Sequence, residues 1–247
     1  MLYPIVSASG GADSGWRQGL PVLDGRITTV REVRPSDAPS LFELFTDPEV
    51  NRYLSSPPPS IDAFAGFVAW AQQQRERGAM VCFGIVPAGL RDAVGLIQIR
   101  ALDPSFALAE WGFVLGSAFW SSGVFEDAAS SVLEFAFNVL HVHRLEARAV
   151  SKNARANGAL QKLGAITEAV LAHGVDREGH VHEQLLWAML ADDWRARDAA
   201  LRGRFDQTLA KARVREAITR IRPQIGEAFT PAAEARPYPF YLTSGAE

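Results

Sequence analysis

Cysteine and lysine are the scarce residues of this 247-residue chain: there is one cysteine, Cys82, and the only lysines are Lys152, Lys162 and Lys211. One thiol cannot close an intramolecular disulfide, so the fold has to rest on apolar burial, and a reducing, cytoplasmic setting is the default expectation. No apolar run approaches the roughly 20 residues that span a bilayer, and the opening stretch MLYPIVSASGGADSG carries no basic cluster ahead of its short apolar segment. Neither membrane insertion nor secretion is expected. A surplus of positive charge is missing too, since 25 Lys and Arg face 28 Asp and Glu for a net charge of −3. A generic nucleic-acid binder would be more basic, and no nucleic-acid partner is expected. What the chain does have is apolar content, 48% of its residues, enough at this length for one large or two small domains.

Residues 1–25 mix glycine, serine and isolated apolar residues with no helical or strand period, and are expected to form a loosely held arm. RITTVREV then alternates as a strand. Pro35-Ser36-Asp37 offers a cap to a helix bearing Leu41, Phe42, Leu44 and Phe45, which Asp47-Pro48 should stop. After the stiff Pro57–Pro59 spacer, Ser60 caps a second helix whose Phe64, Phe67 and Val68 recur at helical spacing and line either the core or a cleft; Gly78 ends it. From Met80 the period changes. VCFGIVP and VGLIQIRAL read as a hairpin, and ALAEWGFVLG as a further strand.

The turn SAFWSSGVF leads into EDAASSVLEFAFNVLHV, a helix with a broad apolar face. A strand, a small-residue turn and a buried helix in that order make half of a phosphate-cradling unit, because backbone N–H groups at the helix start are open to an anion. RLEARAV (144–150) is the next strand, 153–164 a helix stopped by Gly164, and 166–175 with 182–190 a closing hairpin. From Asp192 to Glu247 ten Lys or Arg and eight Asp or Glu interrupt the apolar residues, which reads as an appended helical extension with an extended tail over residues 194–247. His173, His180 and His182 sit around the last hairpin without a completing Cys or carboxylate at ligand spacing, so no metal site is assigned.

Residues 26–193 resemble the GCN5-related N-acetyltransferase (GNAT) superfamily, and within it the RimJ/RimL branch. The likeness is carried by AEWGFVLGSAFWSSGVFEDAASSVLEFAF, by HRLEARAVSKNARANGALQKLGA and by the order of elements. It implies an α/β fold with a mixed, mostly antiparallel sheet splayed between the fourth and fifth strands. It also implies acetyl-CoA as co-substrate and an amine as acceptor, either a protein N-terminus or a small molecule.

The superfamily's diphosphate loop, Q/R-x-x-G-x-G/A, falls here on Trp120, Ser121, Ser122, Gly123, Val124 and Phe125. Gly123 fits; Ser121 and Phe125 depart from the usual small residues. The resemblance further implies that the pantetheine arm pairs with the strand at Phe113, Val114 and Leu115, chiefly through the backbone of Phe113 and Leu115, and that Asn153 bonds the cofactor, although Asn153 would serve equally as a helix cap. The serine and tyrosine that serve as proton donors in relatives are Ala156 and Leu160 here, leaving water, Asn157, a residue from elsewhere, or no donor at all; Asn157 is also expected among the cofactor-binding residues. Glu110 is the first candidate base and Glu168 the second. A different class remains open: a GNAT-fold module, catalytically weak or inactive, that interacts through its charged extension. A homodimer is the oligomeric expectation, resting on the surplus C-terminal helix alone.

Overall fold

The protein, seen in a computed structural model, is described at residues 15–54, 57–175, 181–201 and 207–221 and at Phe240 and Leu242. Strand pairing starts earlier than the sequence suggests. β1 (Leu23–Asp24) runs antiparallel to β2 (Thr28–Glu32), and Trp16, 7% exposed, sets its ring edge-on to Phe106 at 5.6 Å. The arm expected over residues 1–25 is thus part of the fold from residue 15, while residues 1–14 lie outside the described ones. This burial is tertiary: Trp16 meets a partner ninety residues away, which no local period announces.

Asp47 does more than stop α1 (Ala38–Phe45). Its Oδ1 accepts from the N–H of Glu49 (2.9 Å), capping a one-turn helix α2 (Pro48–Asn51) that the sequence reading missed. Asp followed by Pro at the first helical position is a start signal as well as a stop. Ser60 caps α3 (Ile61–Glu76) as expected, accepting from Ala63 N–H at 3.1 Å. α3 buries Phe64, Phe67, Val68 and Trp70, packs on β3 (Met80–Pro87), and gives way to Gly78 in the left-handed region (φ +71).

β4 (Gly95–Ala101), β5 (Leu108–Leu115), β6 (Arg144–Val150), β7 (Ile166–Val175) and β8 (Val181–Leu190) complete one sheet in the order β1-β2-β3-β4-β5-β6-β8-β7. Every described neighbour pair is antiparallel except β5 with β6. A parallel pair needs a crossover, supplied by α4 (Val124–Asn138). β3 is buried along its whole length, in keeping with α3 on one face and α4 on the other, where Phe83 meets Phe135 at 5.2 Å. α5 (Ala154–Leu163) follows β6, capped by Asn153 and closed by Gly164 at φ +93.

The C-terminal extension is fastened to this body. α6 (Ala191–Leu201) leaves β8 directly, with Trp194 5.2 Å from Phe137, and α7 (Gln207–Ile221) buries Ala210, Val214, Ala217 and Ile221. Of the expected tail, Phe240 is 2% exposed. His180 lies outside the described residues, and of His173 and His182 only the backbone is described.

One buried carboxylate joins the first hairpin to α4. Asp127 accepts from the N–H of Arg26, Ile27 and Thr28, each at 3.0 Å, and from Thr28 Oγ1 at 2.7 Å. The corner at Gly25 is glycine by necessity, since a Cβ there would stand 2.3 Å from Asp127 Oδ2. Replacing Asp127 by Ala orphans three N–H groups, two of them in buried bonds. The variant should unfold in urea with a stability loss of about 3 kcal/mol and an unchanged slope; a loss below about 1 kcal/mol would show that the corner finds other partners.

Candidate active site

β5 and β6 are joined and then part. Their pairing covers Leu108↔Arg144, Ala109↔Leu145 and Glu110↔Glu146, although β5 runs on to Leu115 and β6 to Val150. Each keeps its outer partner, β4 or β8, to the end, so only the inner edges are released. The direction of the backbone groups follows from the register. Leu108 O accepts from Leu102 N–H and Gly116 N–H donates to Val94 O, both at 2.9 Å, so even-numbered residues of β5 bond to β4. Ala107 O accepts from His143 (2.9 Å) and Arg144 (3.0 Å), so odd-numbered residues face β6.

The N–H and C=O of Phe113 and the N–H of Leu115 therefore point into the opening, while the Leu115 carbonyl accepts from Trp120 Nε1 at 2.9 Å. Val114 differs from the expectation: its backbone belongs to the β4 ladder, and only its side chain reaches the opening. Open strand edges inside a sheet call for a hydrogen-bonding partner of extended shape.

The opening is a cleft of about 880 Å³. Its mouth is the loop between β5 and α4. Ser121 (φ +60) and Gly123 (φ +89) both take the left-handed conformation there. The first bond of α4 is from Asp127 N–H to Gly123 O (3.0 Å), so the N–H groups of Gly123 to Glu126 precede the helix's own ladder. Val124's is shared with Ser122 Oγ at 3.3 Å; Ser122, 4% exposed, donates in turn to Phe119 O at 2.5 Å and braces the loop from within.

Phe125, unusual for the pattern, lays its ring on Phe113 at 4.3 Å and lines the cleft. Trp120 is covered by the Arg155 guanidinium, 3.7 Å above its ring. Cations Arg52, Arg148, Arg155, Lys162 and Arg213 line the cleft against acids Glu49 and Glu126, a balance that favours an anion. The segment after α1 spans both arms of the fork: Asp47 Oδ2 accepts from Ser117 Oγ at 2.5 Å, and Tyr53 donates to Lys152 O at 3.4 Å.

Several expected roles change. Glu110 is wholly buried, with one carboxylate oxygen accepting from Arg100 Nη2 at 2.5 Å and the other from Arg148 Nη1. It does not line the cleft, and both of its carboxylate oxygens are already engaged by guanidiniums. Its geometry is that of a strut between β4 and β6, not of a base. Glu168 stands on the surface, also away from the cleft, in a two-point pair with Arg144 (2.8 and 2.5 Å) that holds its carboxyl below the usual range.

Asn153 lines the cleft, but its Oδ1 caps α5, accepting from Ala156 N–H at 3.1 Å. Asn157 is occupied by structure: Nδ2 donates to Val150 O (3.0 Å) and Ser151 O (3.1 Å), and Oδ1 accepts from Trp187 Nε1 (2.9 Å). It lies behind the cleft wall and is withdrawn as a cofactor ligand. Sequence reasoning missed Arg148, Arg155 and Arg213. Arg148 was legible as the residue two beyond Glu146 on one strand face; Arg213, whose guanidinium donates to Ser121 O at 2.8 Å, depends on where α7 docks and had no local signal.

Comparison with known proteins bears on this geometry. A family described as acetyltransferase (GNAT) domain matches residues 28–166. The chain is 25% identical over 176 residues to the uncharacterized N-acetyltransferase YoaA of Bacillus subtilis, covering 69% of this chain and 97% of that one. It is 22% identical over 196 residues to the ribosomal protein uS5 alanine N-acetyltransferase of Escherichia coli, covering 73% and 97%. Among solved structures, Mycobacterium smegmatis RimJ in complex with CoA-disulfide shares the fold, with a TM-score of 0.63, 19% identity and coverage of 73% and 92%.

The strut can be tested without any ligand. Changing Glu110 to Gln leaves two guanidiniums facing a neutral amide, and urea unfolding should register a loss of about 3 kcal/mol, the lower end for breaking a buried pair because the arginines keep some water contact. Wild-type stability in the variant would return Glu110 to the list of bases.

Proposed function

The chain belongs to the GNAT acetyltransferase family, and from that premise we propose that it transfers the acetyl group of acetyl-CoA to a primary amine by direct attack. The observation that carries the reading is the fork: an extended arm bearing two amides, which pantetheine is, suits the inward-facing edge at Phe113 and Leu115. The diphosphate then meets the N–H groups that precede α4 at Gly123, with Trp120, Ser121, Ser122 and Val124 shaping the loop. Arg155, Lys162 and Arg213 supply positive charge at that mouth. A backbone N–H on the inner edge of β5 polarises the thioester carbonyl and holds the oxyanion as the amine adds.

The amine must lose a proton before or as it attacks. Of the two acids that line the cleft among the described residues, Glu126 is paired with Lys162 at 3.4 Å, so Glu49 of α2 is our candidate, directly or through water. The sulfur leaves as a thiolate of pKa about 8.5, which needs no dedicated acid and fits a site with Ala156 and Leu160 where relatives place donors. A cytoplasmic setting accords with this reading; among the described residues no helix is long and apolar enough to cross a membrane.

A second reading, a fold relative that no longer binds acetyl-CoA, is favoured by Ser121 in the left-handed region and by the Phe125 ring in the cleft. Titration calorimetry separates the two. Acetyl-CoA should bind saturably, and Gly123→Asp should weaken binding by at least about a hundredfold by setting a carboxylate against the diphosphate. Gly123→Asn, which also tolerates a positive φ but is neutral, should bind far better than the Asp variant. No heat at millimolar acetyl-CoA would defeat the enzyme reading, and equal affinity in both variants would mean the diphosphate lies elsewhere.

A further inference from the structure

On the face of β5 opposite Phe113, the chain receives Phe240 and Leu242 from beyond α7. Successive strand residues point to opposite faces: Phe113 meets Phe125 at the start of α4, so Gly112 looks out on the other side, beside Gln98, its register partner on β4. There Phe240 sits with its ring edge-on to Phe67 of α3 at 5.5 Å. Gln98 is 3% exposed, and its amide is committed to this segment at both ends. Nε2 donates to Phe240 O at 3.0 Å, and Oε1 accepts from Leu242 N–H at 2.9 Å.

Gly112 leaves room for the same segment: a Cβ on it would stand 2.7 Å from Leu242 Cβ and 2.8 Å from Leu242 C and O. A buried amide that satisfies the backbone carbonyl of one residue and the N–H of the second residue on, over a glycine that admits main chain, is a slot for polypeptide backbone. Withdrawing the segment would orphan the Gln98 amide and bare the Phe67 ring, so the slot is built to stay filled.

Leu242 also lines the cleft, together with Gly112, Arg148 and Tyr53. With the diphosphate on the α4 side, the amine has to approach the thioester from this opposite face, which the C-terminal segment walls. We infer that Phe240 and Leu242, held by Gln98 and Gly112, are specificity-determining residues that close the acceptor side of the cleft, so that the acceptor is a small primary amine and not an extended peptide. An acceptor peptide lying along β4 and β5 would need the groove that Phe240 and Leu242 occupy. The inference rests on the acetyltransferase reading, and it narrows the acceptor class within it.

The test compares two acceptor sets by release of free CoA thiol: small amines (diamines, amino-acid amides and amino sugars) and hexapeptides beginning with Ala or Ser. Full-length protein should use the best small amine at least about tenfold better in kcat/KM than the best peptide. Phe240→Ser and, as an independent variant that keeps the volume but loses both bonds, Gln98→Met should each free the segment, seen as faster hydrogen exchange at the Leu242 amide. Both should lower turnover of the small amine and raise that of the peptides, shifting the ratio by about tenfold or more. A rise for both acceptor classes together would make the segment a mere plug and overturn the inference. So would efficient use of peptides by the full-length protein, or an unmoved ratio once exchange shows the segment free. Absence of thiol release with every acceptor in every variant would instead sink the acetyltransferase reading, and the inference with it.

Discussion

At the last position where β5 and β6 still pair, Glu110 stands across from Glu146 and bridges Arg100 on β4 to Arg148 on β6. Everything above that position depends on it. Two neighbouring strands that must separate need to be held firmly where they still touch, and three register pairs alone are a short hold. A fully buried carboxylate between two guanidiniums adds a charge-assisted link across three strands at that vertex. It also gives a glutamate a structural reason to stand here: its charge balances Arg100 and Arg148 across three strands. Glu146 joins the same network, 3.7 Å from Arg148 and 2.8 Å from Arg144.

Much of this architecture was legible along the chain because it is written in local signals. The bounds of β6, the Ser60 cap of α3, and α5 framed by Asn153 and Gly164 all follow from short-range capping and period. The parting of β5 and β6 was not local; it entered through family resemblance, and the register then showed which backbone groups it frees. Side-chain roles fared worse, for a physical reason. Asn157 and Glu110 are chemically suited to a cofactor or a proton, but each has its polar atoms claimed by partners whose position only folding sets: Val150 and Trp187 for the first, two arginines for the second.

The residues beyond Asp192 illustrate the same limit from the other direction. Their sparse apolar pattern and balanced charge read as an addition to a finished domain, yet α7 places Leu209, Ala210 and Arg213 on the cleft. Trp194 closes over Phe137, and Phe240 enters the core beside α3. The body of the enzyme is therefore incomplete without them: Arg213 of α7 bonds to the loop at Ser121, and Leu242 lies against β5 at Gly112.

Asp127 and Glu126 put two negative charges in the first turn of α4, where an incoming diphosphate would be repelled. Neither charge is left bare. Glu126 is matched by Lys162 from α5, and Asp127 is turned inward onto the N–H groups of Arg26, Ile27 and Thr28. Each acid of the first turn is thus matched by donors drawn from other parts of the chain, which lessens its opposition to the positive end of the helix. The first hairpin thereby takes part in the charge balance at the start of α4.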